Sequence, residues 1–293
     1  MADERTAAVA KGEVVAIVTV SRGSMSGGTE FAQCLARRLC YPCLSREVVV
    51  QAAGKIGVPE ETMLGKIEKS AGVWERLTAD RRLYLVAVQS ALADACTSGE
   101  LVYHGHAGHL LLKGLPAVLK VRLIAPMAMR IRAVMGCQGL AYTAARDYIR
   151  NVDQERIRWT KFVYGVDWRD PVNYDLVINL ADISIDSACA IVTAVAQLPP
   201  YKSTNVVKDR LKDFALACRV KLALAASPGS REISFNVTAD DGKVEILGEV
   251  AGNGLLLKKV RPSEREVQLL AERVEGVQGV KVSLRRFAEG AET

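Results

Sequence analysis

The sequence predicts an α/β protein, in which a parallel sheet flanked by helices is followed by a small α+β domain. An apolar, β-branched segment at 14–20, VVAIVTV, directly precedes a glycine-rich turn. Apolar segments then alternate with segments of helical periodicity as far as Leu198, which is the order typical of parallel β-α units. Beyond Pro199 and Pro200 the pattern changes to a hairpin between two helices, so these prolines mark a boundary.

The first strand is predicted at 14–20, because a continuous apolar run bounded by polar residues is typical of a strand buried on both faces. The helix predicted at 28–39 places Phe31, Leu35 and Leu39 on one stripe. A short strand is expected after the first helix. The further predicted strands are 101–103, 117–125 and 174–180, and the further predicted helices are 46–57, 60–70, 74–97, 126–136, 141–163 and 184–197.

The C-terminal part begins with a helix predicted near 204–216. Alternating apolar residues on either side of Asp241-Gly242 then predict a hairpin with a type I′ turn. A second helix from Pro262 to about Gly276 and a strand at 280–284 complete the unit. The predicted domains are a disordered tail at 1–13, an α/β domain at 14–198, a linker at 199–203, an α+β domain at 204–287 and a tail at 288–293.

Composition and charge limit the classes of protein to which the chain can belong. The chain has 293 residues, 49% of them hydrophobic and 25% charged, which is the balance of a globular protein with a real core. Seven scattered cysteines, the absence of an apolar run long enough to span a membrane and the lack of an export signal predict a cytoplasmic protein. Between Lys120 and Arg169, Lys and Arg outnumber Asp and Glu, which favours an anionic partner. Few aromatic residues are interleaved with them, so a specific nucleic-acid groove is disfavoured.

The turn after the first strand has the spacing of a phosphate-binding loop. Gly23 and Gly28 are separated as in the Walker A pattern, between a strand and a helix, where backbone N–H groups and the helix dipole attract anions. The next residues are Thr29 and Glu30 rather than Lys and Ser or Thr. Taken alone, the loop is either a phosphate site or a tight turn that binds nothing. The candidate nucleotide-binding residues are Arg22, Gly23, Ser24, Ser26, Gly27, Gly28 and Thr29.

Several longer stretches resemble the cytidylate kinase-like family, a branch of the P-loop nucleoside monophosphate kinases. The resemblance covers about residues 14–198. It is carried by VTVSR…SGGTEFAQCLARRL…REVV, by YHGHAG, and by MRIRAVMG…AARDYIRNVDQERIR…YGVDWRDPVNYDLVINL. It implies a P-loop kinase-like fold with a five-stranded parallel sheet and an arginine-bearing lid. It also implies transfer of a phosphoryl group from ATP, with Mg²⁺, to a pyrimidine nucleoside monophosphate.

Phosphoryl transfer depends mostly on positioning and on cations around the spreading negative charge. The candidate catalytic residues are the lid residues Arg130, Arg132, Arg150, Asp153 and Arg156. Asp153 and Arg156 match the D-x-x-R of the family's lid, although this spacing also fits a surface ion pair.

The chain departs from the family at the acceptor side. Ser45, before Arg46, stands where the family usually has Asp. His106 replaces the arginine of the family's Gly-Arg pair. Thr29 stands at a position where relatives often have a basic residue. Ser45, Arg46 and His106 are the candidate substrate-binding residues. The loss of charged groups from a phosphate site weakens stabilisation of the transition state more than it weakens nucleotide binding. The sequence therefore leaves open whether the protein catalyses phosphoryl transfer.

The histidines of the chain, His104, His106 and His109, follow one predicted strand. They fit a transition-metal site, a pH-responsive group, or, for His106, a weak phosphate contact. A further alternative is that they bind neither metal nor phosphate, and the sequence excludes none of these interpretations.

The C-terminal stretch VTADDGKVEILGEV followed by EREVQLLAERVEGVQGVKV resembles a BON domain, over about residues 204–287. The resemblance implies a small module that contacts phospholipid surfaces or small ligands. Its candidate basic residues are Lys258, Lys259, Arg261, Arg285 and Arg286, which also fit an ordinary solvated surface.

The sequence therefore predicts a nucleotide-binding phosphotransferase with a BON-like binding or sensing module. The first alternative is a protein of the same fold that binds nucleotide and regulates without turnover. The second is a metal- or pH-responsive regulator built on the histidines. The sequence does not identify the acceptor base or the oligomeric state.

Overall fold

The computed structural model describes residues 17–54, 78–202, 204–231, 233–251 and 262–287. Several predicted features lie outside the described residues, namely the helix at 60–70, the tails at 1–13 and 288–293, Lys258, Lys259, Arg261 and the side chain of Arg286.

In the described residues, five parallel strands form one sheet of order β2-β3-β1-β4-β5. The strands are β1 Ile17–Arg22, β2 Cys43–Ser45, β3 Leu101–His104, β4 Val118–Ile124 and β5 Leu176–Asn179. The predicted five-stranded parallel sheet is confirmed. Because β1 is central and buried on both faces, the loop that follows it lies at the middle of the sheet's carboxyl edge, where α/β proteins bind ligands.

The helices cover both faces of this sheet. They are α1 Gly28–Leu39, α2 Arg46–Gly54, α3 Thr78–Ala95, α4 Gly108–Leu111, α5 Met127–Gln138, α6 Tyr142–Tyr164 and α7 Ile185–Ala196. One core packs α1 and α7 against the sheet, and another packs α2 and α3 against the opposite face. The strand predicted at 174–180 begins only at Leu176, because Asp170 caps a short 3₁₀ turn at Pro171–Asn173.

The C-terminal part consists of α8 Asn205–Ala226, β6 Ser234–Asp240, β7 Lys243–Ala251, α9 Glu264–Glu272 and β8 Gly279–Phe287. The strands form a sheet of order β6-β7-β8, with β6 antiparallel and β8 parallel to β7. Asp241 and Gly242 have φ values of 45° and 77°, which are the positive values that a type I′ turn requires. The predicted hairpin is therefore confirmed, whereas the first helix continues to Ala226 instead of ending near 216.

The helix α8 belongs to two cores. Leu211, Leu222 and Ala225 pack with α2 and α3 in the core of the α/β part, whereas Leu216 and Val220 pack under the C-terminal sheet. A long helix with apolar residues on two faces is buried from both sides. The helix therefore joins the C-terminal part to the α/β part through shared packing.

Replacing Leu211 with alanine should destabilise the α/β part, although this residue lies beyond the predicted linker at 199–203. Leu211 is 1% exposed, and truncation of a buried leucine costs about 2 kcal/mol or more through lost burial and the cavity left behind. The free energy of unfolding from urea titrations measures the loss. The control is Leu247→Ala on the exposed side of β7, where Leu247 is 42% exposed. Equal effects of the two substitutions would contradict the shared core.

Among the helices that the structure describes, none is both long enough and apolar enough to span a membrane.

Candidate functional site

The loop between β1 and α1 curls tightly at the carboxyl edge of the sheet. Gly27 caps α1 in the left-handed region at φ 74°, and the Oγ atom of Ser26 donates to the carbonyl oxygen of Gly23 at 2.8 Å. Ser24 and Ser26 are both buried. The loop therefore has one defined shape, held by its own hydrogen bond and by its glycines.

The side chain of Arg22 lies against the start of α1. A Cβ atom added at Gly28 would collide with the Arg22 side chain and would lie 2.7 Å from its Nε atom. The positive end of the helix dipole and the free backbone N–H groups are at this helix terminus. Burial lowers the pKa of Arg22, and Glu47 offsets this in part. A cation thus occupies a position that favours anions.

Two of the residues predicted for the lid, Arg130 and Asp153, contact the other side of the loop. Arg130 donates through Nε to the carbonyl oxygen of Ser24 at 2.6 Å, and Asp153 accepts from the backbone N–H of Ser24 at 3.0 Å. Arg130 and Asp153 are themselves paired at 2.6 Å. A Cβ atom at Gly23 would lie 3.2 Å from the Arg130 guanidinium group, so the two groups are in close contact. The predicted lid residues Arg130 and Asp153 are brought to the loop.

Asp153→Asn should destabilise the protein by about 2 kcal/mol, because it leaves the guanidinium group of Arg130 without its ionic partner. Arg130 is 9% exposed, so water replaces the lost partner poorly. Urea unfolding at pH 7 measures the effect. Asp147→Asn is the matched control, because Asp147 pairs with Arg146 on an exposed surface, where ion pairs contribute 1 kcal/mol or less. Equal losses in both variants would show that the Arg130 pair is an ordinary surface pair.

Arg156 approaches the loop from α6, the helix that also carries Asp153. Its Nη1 atom donates to the carbonyl oxygen of Arg22 at 3.1 Å. Burial lowers the pKa of Arg156 to about 10, with a further contribution from the positive charge of Arg22, while Asp153 opposes the shift. Arg46, the first residue of α2, is another cation close enough to lower this pKa. The structure therefore gathers Arg22, Arg46 and Arg156.

The other predicted site residues lie further out. Arg132 on α5 and Arg150 on α6 are exposed, as is Thr29 in the first turn of α1. Ser45 ends β2 beside His104 in register, and its Oγ atom accepts from the backbone N–H of Val48 at 3.5 Å. The catalytic roles of Arg132 and Arg150 remain predictions.

The histidines do not converge on a metal. Within the described residues, no group of three or more His, Cys, Asp or Glu side chains could hold a metal ion. His104, His106 and His109 do not form such a group in the described residues. The reason is that β3 ends at His104, so the chain turns and directs the other two rings to different partners.

His109 is instead part of the core. Its Nδ1 atom lies 3.1 Å from the Oγ atom of Ser21, and its ring lies 4.6 Å from that of Tyr174. Burial, followed by the charges of Lys120 and Arg122, lowers the pKa of His109 to about 4.

This depressed pKa predicts that acid destabilises the fold. An unfolded histidine binds a proton below about pH 6.5, whereas folded His109 binds one only below about pH 4. The unfolded state therefore holds more protons between these values, and stability falls as pH falls through this window, by at most about 3 kcal/mol. Urea unfolding at pH 7 and pH 4.5 measures the slope. We expect a shallower slope in His109→Gln, whose amide can still bond to Ser21, and an unchanged slope would contradict the assignment.

Sequence reasoning missed the interactions of Arg122 with two aromatic residues, Trp168 and Tyr174. Arg122 on β4 lies 4.4 Å from the ring centre of Trp168 and 5.6 Å from that of Tyr174. Its Nη1 atom donates to the carbonyl oxygen of Trp168, and the Tyr174 hydroxyl donates to the same oxygen at 2.7 Å. The aromatic residues of YGVDWRDPVNYD could have been noticed in the sequence. Their partner Arg122 lies in an apolar strand, where no sequence pattern marks it as part of this group.

Comparison with known proteins decides the family. The sequence profile of the "Cytidylate kinase-like family" matches residues 17–182. The chain belongs to this cytidylate kinase-like family. Among curated proteins, none matches the chain at a significant level.

Three solved structures are similar to the α/β part to different degrees. An uncharacterised protein from Eubacterium ventriosum is 16% identical at a TM-score of 0.50, covering 62% of this chain and 97% of that one. TT1252 from Thermus thermophilus is 18% identical at a TM-score of 0.39, covering 63% and 98%. Shikimate kinase from Bacteroides thetaiotaomicron is 14% identical at a TM-score of 0.37, covering 63% and 99%. The first of these similarities supports the fold of the α/β part, and none of them defines a substrate.

Proposed function

We propose that this chain is a phosphotransferase that moves a phosphoryl group from ATP to a pyrimidine nucleoside monophosphate. The observation that carries the proposal is the guanidinium cluster of Arg22, Arg46 and Arg156 beside the glycine loop. Arg22 and Arg46 both lower the pKa of Arg156, and Arg46 also lowers that of Arg22. Like charges are gathered in this way where a multiply charged anion compensates them.

Arg22 supports the proposal most directly. This chain has Thr29 at the position of the Walker lysine. The Arg22 side chain lies instead beside Gly28, at the terminus of α1. It would supply the positive charge near the transferred phosphoryl group, and Arg156 from the lid would supply a second charge on the facing side.

The described residues fit a polyphosphate. A Cβ atom at Gly28 would collide with the side chain of Arg22, so this cation lies directly over the first turn of α1, where backbone N–H groups attract anions. Mg²⁺ is usually held by one or two carboxylates together with the phosphates of the nucleotide, so it requires no cage of protein ligands. When bound, ATP with Mg²⁺ supplies the phosphoryl group and the ADP leaving group.

The acceptor would bind next to Arg46. This residue begins α2, directly after Ser45 at the carboxyl end of β2, and bonds to the hydroxyl of Tyr84. It lies close enough to Arg22 and Arg156 to affect their pKa values. An acceptor phosphate at Arg46 would therefore lie beside the loop, as transfer requires.

Two measurements test the proposal. Calorimetry with ATP and Mg²⁺ should show binding, and a coupled assay with CMP, dCMP or UMP should show that at least one of them accelerates ADP release. Absence of ATP binding would overturn the proposal as a whole. Arg38→Met is a control variant, because Arg38 lies on the exposed side of α1 and pairs with Asp186.

The same fold without turnover is the second candidate. His106 stands where the family has an arginine, and burial lowers its pKa well below the usual value, so it brings no charge to an acceptor at neutral pH. ATP binding without acceleration by any monophosphate would assign the chain to this regulatory class.

For the C-terminal part we propose a BON-like binding or sensing module. The order of helix, hairpin, helix and strand supports this proposal, and the packing of α8 against α3 gives it a route to the α/β part. Sedimentation with vesicles that contain anionic phospholipid, against neutral vesicles, tests the lipid ligand. Equal sedimentation with both would exclude a preference for anionic phospholipid.

A further inference from the structure

The ring of His106 lies between two tryptophans. Its centre is 4.9 Å from that of Trp159 and 6.1 Å from that of Trp168, with the latter pair edge-on. Trp159 lies on the lid helix α6, and Trp168 lies in the segment that follows it. His106, Trp159 and Trp168 form what we term the aromatic cluster, which connects the carboxyl edge of the sheet to the lid.

The backbone fixes one side of this cluster. A Cβ atom at Gly105 would collide with the hydroxyl of Tyr103 and would lie 3.1 Å from the Cβ atom of Arg46. The N–H group of Gly105 also bonds to the carbonyl oxygen of Val20 at 3.3 Å. His106 therefore leaves the sheet at a defined position beside Arg46.

Trp168 is held equally firmly. It is 3% exposed, Arg122 stacks over its ring at 4.4 Å, and both Arg122 and Tyr174 donate to its carbonyl oxygen. The rings of His106 and Trp168 thus form a well-anchored surface, and Trp159 packs against its His106 side.

Trp159 follows Arg156 by three residues, so the two side chains project from neighbouring positions on α6. The Oγ1 atom of the next residue, Thr160, donates to the carbonyl oxygen of Arg156 at 2.8 Å. Fixing Trp159 against His106 therefore fixes the turn of α6 from which Arg156 reaches the carbonyl oxygen of Arg22.

The imidazole acts by contact and not by charge. The groups that face it are Arg156 from α6, Arg46 from α2, Arg22 from β1 and His109 from α4. Burial lowers the pKa of His106, and the nearby cations Arg156, Arg46 and Arg22 lower it further. Within the described residues, its shielded Nε2 atom has no hydrogen-bond partner.

We propose that His106 is a positioning residue, whose ring packs between Trp159 and Trp168 and thereby holds Arg156 of the lid against the glycine loop. This role differs from the phosphate contact that the sequence predicted for His106.

Three substitutions at His106 separate the roles. We expect His106→Ala to weaken ATP binding about tenfold, because both ring contacts are lost, and His106→Phe to weaken it much less, because a ring remains. We expect His106→Arg to bind no better than His106→Ala, since it adds a cation beside Arg46 and Arg156. If His106→Ala and His106→Phe lost ATP affinity equally and His106→Arg gained it, His106 would be a phosphate contact and the proposal would be overturned. The same ATP affinity in all three variants would also overturn it.

The affinity measurement rests on the proposed function, so a second readout is independent of it. In a Trp74→Phe background the remaining tryptophans are Trp159 and Trp168. We expect acrylamide to quench their fluorescence more strongly in His106→Ala than in His106→Phe. Equal quenching would overturn the proposal even if the protein binds no nucleotide. If His106→Ala does not fold, Trp159→Leu against Trp159→Phe makes the same comparison from the lid side.

Discussion

Replacing Gly28 with valine should abolish ATP binding, with a loss of at least about a thousandfold, or roughly 4 kcal/mol. Even a single Cβ atom at this position collides with the side chain of Arg22. Valine adds two further carbon atoms at the terminus of α1, so it displaces Arg22 and blocks the approach of a phosphate to the backbone N–H groups. Calorimetry with ATP and Mg²⁺ measures the loss.

A matched control separates this effect from helix propensity. Gly136 lies in α5, and apart from the neighbouring backbone of this helix no heavy atom lies within 4 Å of a Cβ atom built there. Gly136→Val therefore makes the same chemical change in a helix without a collision, and we expect its ATP affinity to stay close to that of the original protein. Graded loss in Gly28→Ala would support the steric explanation. Unchanged ATP affinity in Gly28→Val would mean that the loop is only a turn.

The fold was largely predictable because its signals are local. The buried run of β1, the stripe on α1 and the Asp241-Gly242 turn each specify one element through period or φ preference. The exceptions come from tertiary contacts. The helix α8 continues past 216, because its second half is buried by two cores at once, and no local pattern reveals a partner that is distant in the chain.

The glycine loop of the site was predictable from the sequence, whereas the side chains that contact the loop were not. The Walker A spacing identified Gly23 and Gly28, and the resemblance to the family implied a lid that contains Asp153. Neither revealed that Asp153 bonds to a loop amide, or that Arg22 folds back over the start of α1. Spacing also grouped the histidines, which the fold then separates, because neighbours in sequence lose a common direction once β3 ends.

Replacing Arg22 with methionine should have two effects of opposite sign. In the protein without nucleotide, the Arg22 guanidinium group is largely removed from water, close to Arg46 and at the positive end of α1. Each of these terms is unfavourable for a cation. Methionine keeps an unbranched stem against Gly28 and removes the charge, so we expect the midpoint of thermal unfolding to rise by about 2–4 °C.

With a polyphosphate bound, the same charge becomes favourable. We expect Arg22→Met to weaken ATP binding about a hundredfold, in the range by which one charge aimed at a phosphoryl group contributes, and to lose most of the stabilisation that ATP confers on the original protein. Differential scanning fluorimetry with and without ATP measures both effects in one experiment. Arg38→Met, which removes an exposed cation from the same helix, should change neither. A variant that is less stable without nucleotide and still binds ATP normally would show that Arg22 is a structural residue, and the electrostatic basis of the proposed function would fail with it.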